Sequence, residues 1–132
     1  MTQEEKDLII KDLCARLPYN CQVFYEYVDD LDGKTYGYSL TLNTWCIDEL
    51  VADKAIIKPY LRPMSSMTEE ERKEYNDLYY QVPIQHSDGN AYRDTKMVEA
   101  LHIDWLNKNM FDFRGLIPKG LALKAKEGMY TS

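Results

Sequence analysis

Residues 21–42 read CQVFYEYVDDLDGKTYGYSLTL, and this stretch decides the fold. Two runs rich in aromatic and β-branched residues, 21–30 and 35–42, flank Asp32-Gly33. Asp-Gly readily takes the positive φ angles of a type I′ turn, so the pattern predicts a β-hairpin. A two-residue turn there sets Leu31 opposite Lys34, Asp29 opposite Tyr36, Tyr27 opposite Tyr38, Tyr25 opposite Leu40 and Val23 opposite Leu42, and a longer turn would shift these pairs. Successive strand side chains alternate between faces. One face therefore collects Val23, Tyr25, Tyr27, Tyr36, Tyr38, Leu40 and Leu42. The other collects Glu26, Asp30, Thr35, Ser39 and Thr41, with Phe24 and Val28 as exceptions. A slip of one residue would scramble this sorting.

A lone hairpin is marginal in water, so further strands or a covering helix must support it. Residues 45–50 (WCIDEL) and 54–57 (KAII) read as additional short strands. Pro59 and Pro63 then impose an extended, irregular crossing through IKPYLRPMSSM. Upstream, Thr2 and Glu5 fit a capping box that opens a helix. Ile9, Ile10, Leu13, Cys14 and Leu17 form its apolar stripe, and Pro18 ends it. Downstream, Thr68 and Glu71 form a second capping box, with Glu69, Glu70 and Glu71 where the helix dipole favours acids. Tyr75, Leu78, Tyr79 and Val82 supply that stripe, and Pro83 closes it. Residues 84–93 (IQHSDGNAYR) read as turn-rich and mobile. A third helix is expected over 94–109 with Met97, Val98, Leu101, Trp105 and Leu106 inward, followed by a compact tail, FDFRGLIPKGLALKA, that docks back on the fold. The expected architecture is a single α+β domain over 1–132: a small antiparallel sheet, made of hairpin 21–42 plus short strands, packed against about three helices.

Bulk composition narrows the function class. The chain of 132 residues is 45% hydrophobic, too apolar for a disordered segment. Its net charge of -6 opposes binding to phosphate backbones, which relies on Lys and Arg, so a nucleic-acid partner is not expected. A local basic stretch does exist in Arg114, Lys119, Lys124 and Lys126. The three cysteines, at 14, 21 and 46, form no C-x-x-C pair, which suits a reducing cytosol. The N-terminus MTQEEKDLII has no apolar core of a signal peptide, and no apolar run approaches a membrane span. A cytoplasmic protein without a membrane partner is expected.

DDLDGK suggests part of a calcium loop, but aligning Gly33 with the loop glycine puts Val28 and Ser39 where carboxylates are required. His86 and His102 have no zinc-ligand partner at suitable spacing, and His102 suits a partly buried side chain bonded to a neighbour. Cys14, His102 and Asp104 could in principle form a nucleophilic constellation, yet Cys14 fits a helix stripe as a small apolar residue. The glycines form no phosphate-binding loop. No catalytic residue, metal site or cofactor is expected.

Three segments carry a family resemblance: KDLCARLPY (11–19), IKPYLRPMSSMTEEE (57–71) and IDWLNKNMFDFRGLIPKGLALKA (103–125), with EGMY at 127–130. Together they resemble a family of small uncharacterised proteins of phages and prophages of Bacteroides-type gut bacteria. Phe113 and Lys124 depart from the Tyr and the acid usual there. The resemblance implies a phage-related protein in the bacterial cytoplasm and brings no catalytic residues with it.

Two functional readings follow. The first is a non-enzymatic binding protein acting on a host or phage protein, with Tyr79, Tyr80, Tyr92 and Arg93 around the turn-rich segment and Arg62 on the crossing as contact residues. The second is a small-molecule-binding, sequestering domain or degenerate enzyme, in which the Tyr-lined hairpin face and an Arg62 or Arg114 fork form a pocket. An acidic mimic of nucleic acid fits less well, because the acids are dispersed among lysines. The 11 tyrosines also leave open a homo-oligomer that buries them.

Overall fold

The computed structural model describes residues 1–130. In chain order it contains α1 (Gln3–Arg16), β1 (Gln22–Val28), β2 (Thr35–Thr41), α2 (Thr44–Val51), β3 (Ile56–Leu61), α3 (Glu69–Asp77), β4 (Ile84–Ser87), β5 (Asn90–Arg93), α4 (Thr95–Lys108) and β6 (Leu123–Lys124). The class is α+β. The main sheet has the order β2-β1-β3-β6, and β4 with β5 forms a separate two-stranded sheet. The main sheet is mixed rather than antiparallel, because β6 pairs in parallel with β3 at Tyr60 and Leu61.

The Tyr-rich hairpin forms, in a register two residues away from that of a tight Asp32-Gly33 turn. Tyr27 lies opposite Tyr36, Tyr25 opposite Tyr38 and Val23 opposite Leu40. The connection is longer: Asp29 N–H donates to the Lys34 carbonyl (2.9 Å), Gly33 N–H donates to the Asp29 carbonyl (2.8 Å), and Gly33 sits at φ +69°. The Asp29 and Asp32 carboxylates accept N–H groups of Leu31 and Lys34, which accounts for both acids by loop chemistry. A shift of two leaves every side chain on its expected face, because the strand period is two. The exceptional Phe24 has a physical reason: its ring lies against Gly37, where an added Cβ would overlap it.

The two-residue Asp-Gly turn belongs instead to Asp88-Gly89, at φ +50° and +80°. It joins β4 to β5 with Ser87 opposite Asn90 and Ile84 opposite Arg93. The segment read as turn-rich and mobile is therefore a hairpin.

Residues 45–50 are helical, not a strand. Asn43 caps α2 by accepting the Cys46 N–H at 3.1 Å, and Cys46 and Leu50 turn inward four residues apart. Four α-helices thus replace the expected three. The strand expected at 54–57 begins at Ile56 and runs through Pro59 to Leu61, so much of the supposed irregular crossing is β3. Both capping boxes form, at Thr2–Glu5 and Thr68–Glu71. Cys14 is exposed rather than part of the inward stripe, whereas Asp12 and Arg16 are buried. Met97 is also exposed, contrary to the inward reading of α4.

The main core lies between α1, α2 and one sheet face. It joins Ile9 and Leu13 to Val23, Tyr25, Ile57 and Leu61, and to Cys46 and Leu50. The tail adds Met110, Leu116, Leu121 and Ala122, so it does dock back. A second cluster joins Leu78 to Trp105, Leu106 and Phe111, where the turn after α3 meets α4. Within it His102 stacks on Tyr75 (4.2 Å between centroids) and its Nε2 lies 3.1 Å from the Tyr75 carbonyl.

The three segments that carry the resemblance meet at residues 106–114. Arg16 is fully buried. It donates to Asp12 through Nε (3.0 Å), and to the carbonyls of Leu106, Asn107 and Phe111 (3.5, 3.4 and 2.7 Å). A guanidinium on these carbonyls neutralises the negative end of α4. Arg62 exchanges main-chain bonds with this turn, accepting from Asp112 and donating to Met110. The Asp112 carboxylate accepts the N–H groups of Leu116 and Ile117 (2.8 and 2.9 Å), which fixes the following bend. At the tail's end the Tyr130 hydroxyl accepts the Gln22 N–H (2.9 Å) and donates to the Tyr60 carbonyl (2.7 Å). It thereby bridges β1 and β3 just beyond their last paired residues, Val23 and Pro59.

Candidate interaction surface

The hairpin β4–β5 stands apart from the main sheet, and every residue of it is exposed except the half-buried Arg93. Pro83 separates it from the short 3-10 turn Leu78–Gln81 that follows α3. That turn holds Leu78 inward and leaves its neighbours Tyr79 and Tyr80 outward, 41% and 69% exposed. The two rings meet edge to face, with centroids 5.3 Å apart at 83°.

Arg93, the last residue of β5, locks this pair. Its Nε donates to the Val82 carbonyl at 3.0 Å, which fixes the guanidinium beneath the turn. The guanidinium carbon then lies 4.7 Å from the Tyr79 ring centroid and 5.3 Å from that of Tyr80. Cation–π attraction of this kind is worth about 0.5–1 kcal/mol at exposed sites. The result is a rigid, amphipathic corner with two phenol rings, a cation and the neighbouring Ile84, which is exposed and pairs with Arg93 across the hairpin. Tyr and Arg are over-represented among energetic anchors of protein interfaces, Tyr because it brings large area at low entropic cost and Arg because of its planar fork of donors.

The remaining sequence candidates lie elsewhere. Tyr92 is exposed next to Arg93 but points to the opposite face of the hairpin. Arg62 is held by Glu71, with Nη1 and Nη2 at 2.7 and 2.6 Å from the two carboxylate oxygens, and its guanidinium carbon lies 4.1 Å from the Phe111 ring centroid. Those bonds hold the Glu71 carboxyl near 2, well below the usual carboxylate range. Arg114 donates to Asp12 (2.5 Å) and Asn107 (3.1 Å) and is withdrawn from the basic stretch. An open cleft of about 650 Å³ does run beside Arg62, between Ser66 and the tail residues Lys124 and Tyr130. Its arginine is already paired bidentately.

Sequence reading missed Ile84 as part of the corner. Taking Asp88-Gly89 as the type I′ turn gives its register directly and sets Ile84 against Arg93. It also left undecided the role of the Tyr-rich face, which divides. Tyr25 is buried, stacked on Trp45 at 4.9 Å, and burial with a bond to Glu49 pushes its phenol up to about 12. Tyr36 and Tyr38, on the outermost strand, remain exposed.

Among the described residues no helix is long and apolar enough to cross a membrane. Comparison with models of protein families, with curated proteins and with solved structures finds no match to this chain.

Proposed function

We propose that this chain is a non-enzymatic binding protein of phage or prophage origin, acting in the bacterial cytoplasm on a host or phage protein through the Tyr79–Tyr80–Arg93 corner. The observation that carries this reading is the preorganised, exposed tyrosine pair held by Arg93 beside a hairpin that, among the described residues, is exposed throughout except at Arg93. A two-stranded hairpin gains little stability alone. A partner surface laid over Ile84, Tyr79 and Tyr80 would supply a covering layer. Preorganisation lowers the entropy lost on binding, so a small surface can act specifically.

The phage setting rests on the resemblance of the three segments, which meet at residues 106–114 and so frame the fold rather than the corner. The alternative, a small-molecule-sequestering domain, draws support from the cleft beside Arg62. It is weaker because the arginine fork that lines it, Arg62, is engaged by Glu71.

The test is affinity capture from the bacterial host, run in parallel with the wild type and a Tyr79→Ser/Tyr80→Ser variant, followed by binding measurements on the purified partner. A partner held by the wild type and released at least about fivefold faster by the variant supports the corner, as loss of an anchor worth more than about 1 kcal/mol requires. A partner held equally by both proteins refutes it. A retained metabolite displaced by Arg62→Ala favours the alternative.

A further inference from the structure

The outer edge of the main sheet is strand β2, with sequence TYGYSLT (35–41), and among the described residues no strand lies beyond it. Its bonding pattern fixes which groups are free. Asp29 bonds to Lys34 and Leu42 to Cys21, so the pairs 29–34 and 21–42 are of the hydrogen-bonded kind. Pairing runs without a bulge between them. In an antiparallel ladder such pairs alternate with ones whose N–H and C=O groups face away. Tyr36, Tyr38 and Leu40 therefore bond to β1, while Thr35, Gly37, Ser39 and Thr41 aim their main-chain groups outward.

Exposed edges of this kind are templates for strand addition, and proteins blunt them with charges, prolines or bulges. β2 has none of these, in a chain with 29% charged residues. Six of its seven residues are exposed. The Tyr38 ring meets Tyr25 at 5.3 Å and the Tyr36 ring meets Tyr27 at 6.0 Å, while the Tyr36 hydroxyl donates to the Asp32 carboxylate; both rings remain exposed.

We propose that β2 pairs antiparallel with β2 of a second copy of this chain, about a two-fold axis at Tyr38, joining two main sheets into one. The strand is self-complementary in this register. The outward-bonding residues match each other, Thr35 with Thr41 and Gly37 with Ser39, and each pair exchanges both main-chain bonds. On the aromatic face Tyr38 meets Tyr38 of the other copy in a non-hydrogen-bonded pair, where side chains approach most closely, and Tyr36 meets Leu40. No residue of β2 is itself charged, and among the described residues the one carboxylate bonded to a seam side chain, Asp32, is taken up by the Tyr36 hydroxyl. A foreign strand would meet the same edge, but only a second copy is bound to supply this matching set. The contact is independent of the Tyr79–Tyr80–Arg93 corner, which lies outside the main sheet.

The test is sedimentation or light scattering of the purified full chain across micromolar to submillimolar concentration. The expected result is a concentration-dependent rise toward twice the chain mass of 15.5 kDa. Ser39→Pro removes an outward N–H without touching the β1 ladder and abolishes the rise. Tyr38→Lys and Tyr38→Glu each weaken self-association by about 100-fold, since like charges meet on the axis. An equimolar mixture of the two restores a dimer, a result that only pairing of residue 38 with itself predicts. Circular dichroism and unfolding curves check that each variant is folded. A wild type that stays monomeric throughout overturns the proposal. So does a dimer indifferent to Ser39→Pro in the folded variant, or charge variants that fail to recover when mixed.

Discussion

Arg62 and Glu71 form a two-pronged ion pair, with both terminal nitrogens of the arginine at 2.6–2.7 Å from separate carboxylate oxygens. The same Glu71 oxygen, Oε1, accepts the Thr68 N–H at 3.0 Å, so one carboxylate closes the capping box of α3 and ties α3 to the end of β3. Arg62→Lys keeps the charge but cannot reproduce the planar fork or the contact with Phe111. It is expected to cost about 1–2 kcal/mol, and Arg62→Ala about 2–3 kcal/mol, as charge-assisted bonds of this kind do. Urea unfolding midpoints measure both.

The pair also gives the fold an acid limb. Glu71 titrates near 2 in the folded chain against an ordinary value of 4.5. A carboxyl with a depressed folded value contributes stability that is fully present above 4.5 and is lost as pH falls toward 2. Unfolding free energy measured from pH 6 down to pH 2 is expected to decline through this window. Glu71→Gln is expected to be less stable at pH 6 and to show a shallower decline. An unchanged slope would mean that other carboxylates dominate acid unfolding.

Tyr130 offers a test of how the tail is held. Its hydroxyl meets Gln22 N–H, the Tyr60 carbonyl and, at 3.8 Å, Cys21 Sγ. Burial pushes the Cys21 thiol up to about 11 and raises the Tyr130 phenol as well. Tyr130→Phe keeps the ring but leaves the Gln22 N–H without its acceptor. The expected loss is about 1 kcal/mol, because the Gln22 N–H is left without its acceptor in a partly buried site. Amide exchange at Gln22 is expected to quicken more than at Val23, whose partner strand remains.

The contact corner predicts the opposite balance. Tyr80 packs edge-on against Tyr79 and over Arg93 but is 69% exposed. Tyr80→Ala is expected to leave the unfolding midpoint within about 0.5 kcal/mol of wild type. Partner binding, measured by calorimetry on the same preparation, is expected to fall by about tenfold or more. A variant that loses stability and binding in parallel would instead make the corner a piece of the fold.

These contrasts follow what a sequence can and cannot encode locally. Strand alternation survived in the Tyr hairpin because a two-residue change of register preserves faces; the register itself depended on a loop whose length Asp-Gly alone does not set. The two-residue turn expected at 32–33 occurs at 88–89 instead, in a segment read only as turn-rich and mobile. Capping boxes were legible because they join residues three apart. WCIDEL was misread because its aromatic and β-branched start favours strand, while the decisive Asn43 cap lies just outside it. The pairings of Arg62 and Arg114 were not legible. Their partners, Glu71 and Asp12, sit 9 and 102 residues away. Tyr79 and Tyr80 lie 14 and 13 residues before Arg93, and the short hairpin turning at Asp88-Gly89 between them is what brings them together.

Asp12 is the buried group whose loss is expected to cost most. One oxygen accepts Arg16 Nε at 3.0 Å and the other accepts Arg114 Nη1 at 2.5 Å, with Asp12 and Arg16 both fully buried. Helix periodicity gave no sign of this, since a charged pair on the inward face breaks the apolar pattern. Asp12→Ala leaves two guanidinium groups without their shared counter-charge, Arg16 fully buried and Arg114 largely so. Breaking one partner of a buried pair costs about 3–5 kcal/mol, against a total stability of about 5–15 kcal/mol for an ordinary domain. Arg16→Met removes a buried cation and fills much of its volume with apolar atoms. The double variant Asp12→Ala/Arg16→Met is therefore expected to be more stable than the sum of the single losses, by at least about 1 kcal/mol in a double-mutant cycle. Urea unfolding of the four proteins at neutral pH gives this coupling. Strict additivity would show that Arg16 is held chiefly by the carbonyls at the end of α4, with Asp12 serving Arg114 alone.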